Sequence, residues 1–594
     1  MKRRKFLEST GIALSAGAIN PFFLRSSFRS NSSGLKTRNL DYVLCDDYPW
    51  PYDMEHMESS ERIFFDKDGT AWLNVLVKPG KKLDIRLYVS DTKEKLFRNP
   101  PKTYTGVEDS FDLSISGIRS PRLFYKIEFR EGKNPWKSHA PREVKTPQVD
   151  LEMGSKVKVI LWGDSHIYAD LDHEPEDTIL RKDFLSGNYV NRMLKEIIKD
   201  PCYEPDFVNR MKTIEGYTCA WTLKYILETR PDYVIDLGDT VGPDSYYVWG
   251  GNGQWADELQ PENALEKQAK ILWERTRRSL ASLSPEIPYY MVSGNHDGEN
   301  GWENFADDSR TQRKRLLKSP QSKPIRFSPV SAPFSKMSMS AISSDRKFSI
   351  FPEFDGNHYE IGWAKGDIQF TVLTPFRYVY EKPAKVTDWT LGITQKKTFE
   401  THLELSYGIP WKFICLHHTL GGYPLGARLN KGAYGRGPLF TKDDYEKARD
   451  MAKALGDTTV FDPAEVEQVW LTELAKKFNT RGFFYGHDHI FFMKNIGRTS
   501  LDKKMVGVCA GSTKYTGRNI FDNLWCNPYW QEFYGSCYQD PPPYLTPPGV
   551  TELEIEKDKT TIKYVCCAPS TCMGFNLLAG IMPGEVVRKY ILFR

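Results

Sequence analysis

Imidazole and carboxylate side chains gather in five short segments: Gly163-Asp164-Ser165-His166, Gly238-Asp239, Gly294-Asn295-His296-Asp297, His417-His418 and Gly486-His487-Asp488-His489. The set offers nitrogen and oxygen donors and no thiolate, which suits Mn, Fe or Zn rather than a soft metal. Asp164 and His166 are two residues apart, so on an extended strand end both can face one way, and His487 and His489 repeat that spacing. Read together, the segments supply two metal sites that share one carboxylate, Asp239. Two ions roughly 3.5–4 Å apart would turn water into a hydroxide nucleophile at neutral pH, its pKa falling from about 16 toward about 7. His296 follows Asn295 and cannot easily face the same ion as its neighbour, so it is expected to point at a substrate. There it would protonate a leaving-group oxygen or steady developing charge. Asp297 could fix its tautomer.

Each segment ends an apolar run. Val157-Lys158-Val159-Ile160-Leu161-Trp162 runs into Gly163, Tyr233-Val234-Ile235-Asp236-Leu237 into Gly238, and Tyr289-Tyr290-Met291-Val292 into Ser293-Gly294. Phe413-Ile414-Cys415-Leu416 runs into His417, and Phe483-Phe484-Tyr485 into Gly486. Helical stretches, such as 262–283, separate these strands, so residues 155–515 are predicted to form an α/β layered domain with its ligands at the strand ends. Upstream, 41–150 shows short alternating strands punctuated by Asp68-Gly69 and Pro79-Gly80, the pattern of a small β-sandwich. Ser138 to Pro147 reads as the hinge between the two. In the C-terminal segment, 516–594, Thr551–Ile555 and Thr560–Val565 read as a β-hairpin packing on the catalytic domain.

The chain has 594 residues, 40% of them hydrophobic and 27% charged, which implies more than one globular core. Its N-terminus carries Lys2-Arg3-Arg4-Lys5-Phe6-Leu7, then a mildly apolar stretch, Gly11 to Ile19, with Ala16 and Ala18. This resembles a twin-arginine export signal cleaved after Ala18, followed by a Ser/Asn/Arg-rich linker over 19–40. The expected partner is the twin-arginine translocation machinery, and the expected location is periplasmic or secreted. The formal charge of +4 falls to about +1 without residues 1–18, which removes any case for nucleic-acid binding. The apolar stretch is too short to span a bilayer, which needs roughly 20 residues, and no transmembrane segment is expected. An oxidising destination permits disulfides, and among the ten cysteines the crowded Cys566, Cys567 and Cys572 are the best candidates for a bridge.

The five motifs, in order from Asp164 to His489, resemble those of the calcineurin-like metallophosphoesterase superfamily. The resemblance implies a four-layer αββα sandwich, here preceded by a small all-β region of immunoglobulin or fibronectin type. It implies one metal on Asp164, His166, Asp239 and His489, and another on Asp239, Asn295, His417 and His487. His418 stays open: the first His after the strand is the better ligand, and His418 then hydrogen-bonds nearby. Thr240-Val241-Gly242 offers no Tyr ligand and His166 is present, so the chain departs from the purple acid phosphatase branch. Gly298-Glu299-Asn300 departs from secreted nucleotidases, which continue the third motif with Phe-Asp. The export signal and β-sandwich are similar to those of secreted alkaline phosphodiesterases.

The implied activity is hydrolysis of a phosphomonoester or phosphodiester, free or polymer-linked. A glycine-rich loop from Gly421-Gly422 to Gly435-Arg436-Gly437 brings Arg428, Lys431 and Arg436, which could bind phosphate. Tyr246, Tyr247, Trp249 and Trp255 could stack on a sugar or base. Two alternatives stand beside this reading. Gly163-Asp164-Ser165 also resembles the first block of serine esterases, with Ser165 as nucleophile. The β-sandwich could instead grip a surface polymer without catalysis.

Overall fold

A computed structural model describes residues 59–167, 189–203, 210–240, 276–294, 359–373, 377–378, 389–420, 463–513, 547–569 and 582–594 together with Asp450, apart from a few single positions inside these ranges. The expected signal, linker and aromatic insertion (Tyr246 to Trp255) lie outside the described residues. So does most of the helix read over 262–283, of which only the last turn, around Thr276–Ser279, is seen.

The N-terminal region is all-β. Strands β1 (Ser59–Phe65), β2 (Ala71–Val77), β3 (Leu83–Ser90), β4 (Lys102–Val107), β5 (Ser110–Ile115), β6 (Arg122–Glu131), β7 (Lys137–Ser138) and β8 (Arg142–Lys145) form two antiparallel sheets. One has the order β1-β2-β5; the other runs β4-β3-β6, with β7 and β8 both paired to β6. Alternation does the folding here: Leu83, Ile85 and Leu87 on β3 face the core with Leu123, Tyr125, Ile127 and Phe129 on β6, and the residues between them stay partly exposed. The stretch 138–147, expected as a hinge, instead supplies β8, whose Arg142–Lys145 pair with Tyr125–Arg122. Its His139, Arg142 and Thr146 are buried, so it serves as packed sheet rather than as a linker.

Strand β1 departs from alternation for a related reason. Glu61, Arg62, Ile63, Phe64 and Phe65 are all buried, because β1 has the all-β core on one side and the next domain on the other. Ile63 N donates to Ser284 O, Ser284 Oγ donates to Glu61 O, and Tyr290 and Phe65 exchange two hydrogen bonds. Phe65 also packs edge-on against Trp363.

The second domain rests on two mixed sheets. The first contains β9 (Val157–Trp162), β10 (Tyr233–Asp236) and β11 (Tyr289–Met291), all parallel. The second contains β12 (Tyr359–Trp363), β13 (Ile368–Val372), β16 (Trp411–Cys415), β17 (Gly482–Tyr485), β18 (Phe491–Arg498) and β19 (Lys504–Ala510), in the order β12-β13-β16-β17-β19-β18. A small ladder of β14 (Arg377–Tyr378) and β15 (Trp389–Thr390) stands apart. The parallel strands β10, β11, β16 and β17 are buried along their whole length, as parallel strands covered on both faces must be. An aromatic seam joins the sheets: Tyr233 of β10 lies 4.4 Å from Trp363 and 6.0 Å from Phe370, ring centre to ring centre. Helices α1 (Tyr189–Lys199), α2 (Arg210–Thr229), α3 (Gly392–Leu405) and α4 (Pro463–Lys477) complete the described layers. On α1, Val190, Met193, Leu194 and Ile197 make the buried stripe.

The C-terminal strands are not an appendage. The expected hairpin forms as β20 (Gly549–Ile555) and β21 (Lys559–Cys566), followed by β22 (Val586–Phe593), which sequence reading missed. All three extend the first sheet, in the order β11-β10-β9-β20-β21-β22, with Leu553 opposite Val159. Cys566 and Cys567 are buried at the end of this hairpin and are not bridged to each other, and Cys572, the third of the cysteines expected to offer a bridge, lies outside the described residues.

Candidate metal centre

The C-terminal ends of β9, β10 and β11 from one sheet meet those of β16 and β17 from the other. Asp164 and His166 follow β9, Asp239 follows β10, His417 follows β16, and His487 and His489 follow β17. Hydrogen bonds lock these ends together. Asp164 N donates to Gly238 O, His166 N to Asp239 O and Gly486 N to His417 O. The Asp164 carboxylate reaches across the sheets and accepts the backbone N–H of His487 at 2.9 and 3.0 Å. Ser512 Oγ donates to Asp164 O.

The backbone at the site is strained. Ten non-glycine residues among those described have positive φ, and Asp164, His166, Asp239, His487 and His489 are five of them. Such conformations cost about 1–3 kcal/mol each and persist where the surroundings dictate them. Here they turn five polar side chains inward from strands that have just ended.

Two groups result. Asp164, His166, Asp239 and His489 form one, and Asp239, His417 and His487 the other, with the ligand atoms of each within 4.8 Å of one another. Asp239 belongs to both. His417 Nε2 lies 3.1 Å and His166 Nε2 3.7 Å from Asp239 Oδ2, His489 Nε2 3.5 Å from Asp164 Oδ1, and the Nε2 atoms of His166 and His489 are 3.3 Å apart. Bonds of about 2.1 Å to one ion place neighbouring ligands about 3.0–3.4 Å apart and opposite ones about 4.2 Å apart, so the donor set fits a metal ion in each group. Two imidazole nitrogens and two buried carboxylates turned toward one point also call for a shared cation.

His417 is held in a way that suits a metal ligand. Its Nδ1 donates to Leu237 O at 2.8 Å, which fixes the tautomer and leaves Nε2 toward Asp239. Burial works against its charged form, but Asp239 and Asp164 outweigh burial and hold its pKa up to about 9. His418 is fully buried, with its ring 4.4 Å from that of His487, and stands in neither group.

Residues 217–491 match the calcineurin-like phosphoesterase family. The chain carries a calcineurin-like phosphoesterase domain. The match begins after Asp164 and His166, which the geometry alone brings to the phosphoesterase site. With the buried Asp/His cluster, the match makes the protein a binuclear metallophosphoesterase. No curated protein matches the chain. Solved structures similar to it include a purple acid phosphatase from yellow lupin seeds, at 12% identity over 89% of this chain and 73% of that one, with a TM-score of 0.46. The NAD nucleotidase of Haemophilus influenzae matches at 10% identity over 74% of this chain and 50% of that one, with a TM-score of 0.23. Likenesses this distant add nothing about substrate.

Not every expected residue of the phosphoesterase site can be placed. Asn295, His296, Asp297, Arg428, Lys431 and Arg436 lie outside the described residues, although Gly294 is seen packed against Asp239. Ser165, the nucleophile of the serine-esterase alternative, is buried beside Asp164 and His166, and its hydroxyl donates to Thr240 O at 3.2 Å, bracing the turn after β10.

Sequence reading also missed Asp236, the last residue of β10. It is fully buried, its Oδ1 accepts Gly238 N–H at 3.0 Å, and its Oδ2 accepts the hydroxyls of Thr240 at 2.7 Å and of Tyr289. Burial is the largest influence on its carboxyl and raises the pKa to about 6. An acid closing an otherwise apolar buried strand was the signal that could have found it.

Proposed function

We propose that the protein hydrolyses a phosphomonoester or phosphodiester with two Mn, Fe or Zn ions. Asp164, His166, Asp239 and His489 would hold one, and Asp239, Asn295, His417 and His487 the other. The observation that carries this reading is the membership of Asp239 in both ligand groups. When bound, such a pair supplies a hydroxide nucleophile at neutral pH. The chain's own part is to orient and to move protons. His296, next in sequence to Asn295, would deliver a proton to the leaving-group oxygen, with Asp297 holding its ring. Arg428, Lys431 and Arg436 would bind the phosphoester oxygens. The substrate would be a small or polymer-linked phosphoester. The Arg3-Arg4 segment supports export by the twin-arginine route to the periplasm or beyond. No helix among the described residues is long and apolar enough to cross a membrane.

The test is metal analysis joined to turnover of aryl phosphomonoesters and phosphodiesters. Purified protein should carry about two metals per chain, and Asp239→Ala should lose both together with activity. Full activity after exhaustive chelation would overturn the reading.

A further inference from the structure

The turn that presents Asp239 has little intrinsic preference for its shape: Gly238 has φ +98° and Asp239 φ +52°. Something outside the turn must hold it. Asp236 clasps the residues on either side of Asp239, through Gly238 N–H and the Thr240 hydroxyl. Its third hydrogen bond comes from the hydroxyl of Tyr289 on β11. Tyr289 is gripped in turn from the all-β region. The fully buried Arg62 of β1 donates from Nε to Tyr289 O at 3.1 Å and from Nη2 to the same oxygen, and its guanidinium lies 5.4 Å from the centre of the Tyr289 ring. Buried polar contacts thus link Arg62 of β1 to Tyr289, Tyr289 to Asp236, and Asp236 to the two residues that flank Asp239.

We infer that Asp236, Tyr289 and Arg62 are positioning residues of the metal centre, and that the N-terminal β-region is part of that centre's support rather than a separable binding module. The inference rests on the two-metal reading above. The junction around it fits this role: Tyr125 OH donates to Pro285 O, and Ile63, Ser284, Phe65 and Tyr290 join the same two regions by four further hydrogen bonds. The contact with Tyr289 is therefore held on both of its sides. Partners behind metal ligands typically change affinity or activity by about 10–100-fold when removed.

The test uses the full-length protein, stripped of metal and titrated with Mn2+ alone. Electron paramagnetic resonance follows the exchange-coupled pair, and thermal melting is recorded in chelator. Tyr289→Phe removes one hydroxyl and keeps the ring. It should weaken retention of the coupled Mn2+ pair by about 10-fold or more and lower kcat with little change in KM, while melting of the metal-free protein moves by only a few degrees. Arg62→Met, which keeps an apolar stem, should weaken the pair in the same direction. If it does not fold, Tyr289→Phe decides alone. Wild-type Mn2+ affinity and an unchanged coupled spectrum in Tyr289→Phe would overturn the proposal. Asp239→Ala separates the two levels: if it loses the pair while Tyr289→Phe keeps it, only the positioning role fails. If Asp239→Ala also keeps the pair, Asp239 is not the shared ligand, and if the wild-type protein shows no coupled pair, the two-metal reading itself fails.

Discussion

Gly294→Ala adds one methyl group at the point where β11 delivers its motif. A Cβ built there would lie 2.9 Å from Asp239 Cγ and closer still to Asp239 N and Oδ1, inside any real contact distance. The obstacle is backbone and a carboxylate held at positive φ, so no flexible tip can swing away. Restoring ordinary contact moves Asp239 by about 1 Å, and a shift of that size costs on the order of 100-fold in rate, or about 2.7 kcal/mol of transition-state stabilisation. Overpacking of this kind also costs about 1–3 kcal/mol of folding stability. Gly163→Ala provides the control from the same neighbourhood. Its added methyl would sit 3.4 Å from Gly511 O and 3.6 Å from Leu237 Cβ, which the site can absorb. The assay is kcat/KM on a metal-saturated aryl phosphoester, with metal content and melting recorded for both variants. Gly294→Ala should lose roughly 100-fold and bind metal more weakly, while Gly163→Ala should stay within a few-fold of wild type. Two metals and full activity in Gly294→Ala would refute the reasoning, as would equal damage from Gly163→Ala.

Two further outcomes are expected. Ser165→Ala loses one hydrogen bond, worth about 1 kcal/mol, and should keep activity within a few-fold, whereas a collapse of turnover at normal stability would return Ser165 to the role of nucleophile. Burial acts to raise the Glu554 carboxyl, but hydrogen bonds from Lys563 and Lys156 prevail and hold its pKa at about 2, below the ordinary 4.5. The folded value is the lower one, so this stabilisation is present above pH 4.5 and fades as pH falls toward 2. Glu554→Gln should therefore lower stability at pH 7 by about 1–2 kcal/mol after solvent screening is allowed for, and its melting curve should converge on that of wild type in acid.

The sequence made the candidate ligands legible because each follows an apolar run, and strand ends are where two parallel layers can meet. Asp164, His166, Asp239, His417, His487 and His489 needed only that pattern. What escaped was set by distance along the chain. Nothing near Val159 announces that its neighbour in the sheet is Leu553. Nothing in β1 explains why Arg62 and Glu61 are buried until Ser284 and Tyr289 arrive beside them. Ser138 to Pro147 looked like a hinge because its apolar residues are few, yet pairing with β6 makes it sheet. Asp236 reads as a polar interruption of a strand, and only its three donors show why the interruption is stable.

The pairing of β9 with β20 also sets a timetable for biosynthesis. Val159 and Leu553 are nearly 400 residues apart, so at ribosomal speed roughly 20–80 s separate the appearance of one from that of the other. Through that interval the strand carrying Asp164 and His166 has an open edge, a template for unwanted pairing. The first sheet gains β20 only after every residue of the two ligand groups, the last of them His489, has been synthesised, so the whole set precedes the strand that completes the support of β9.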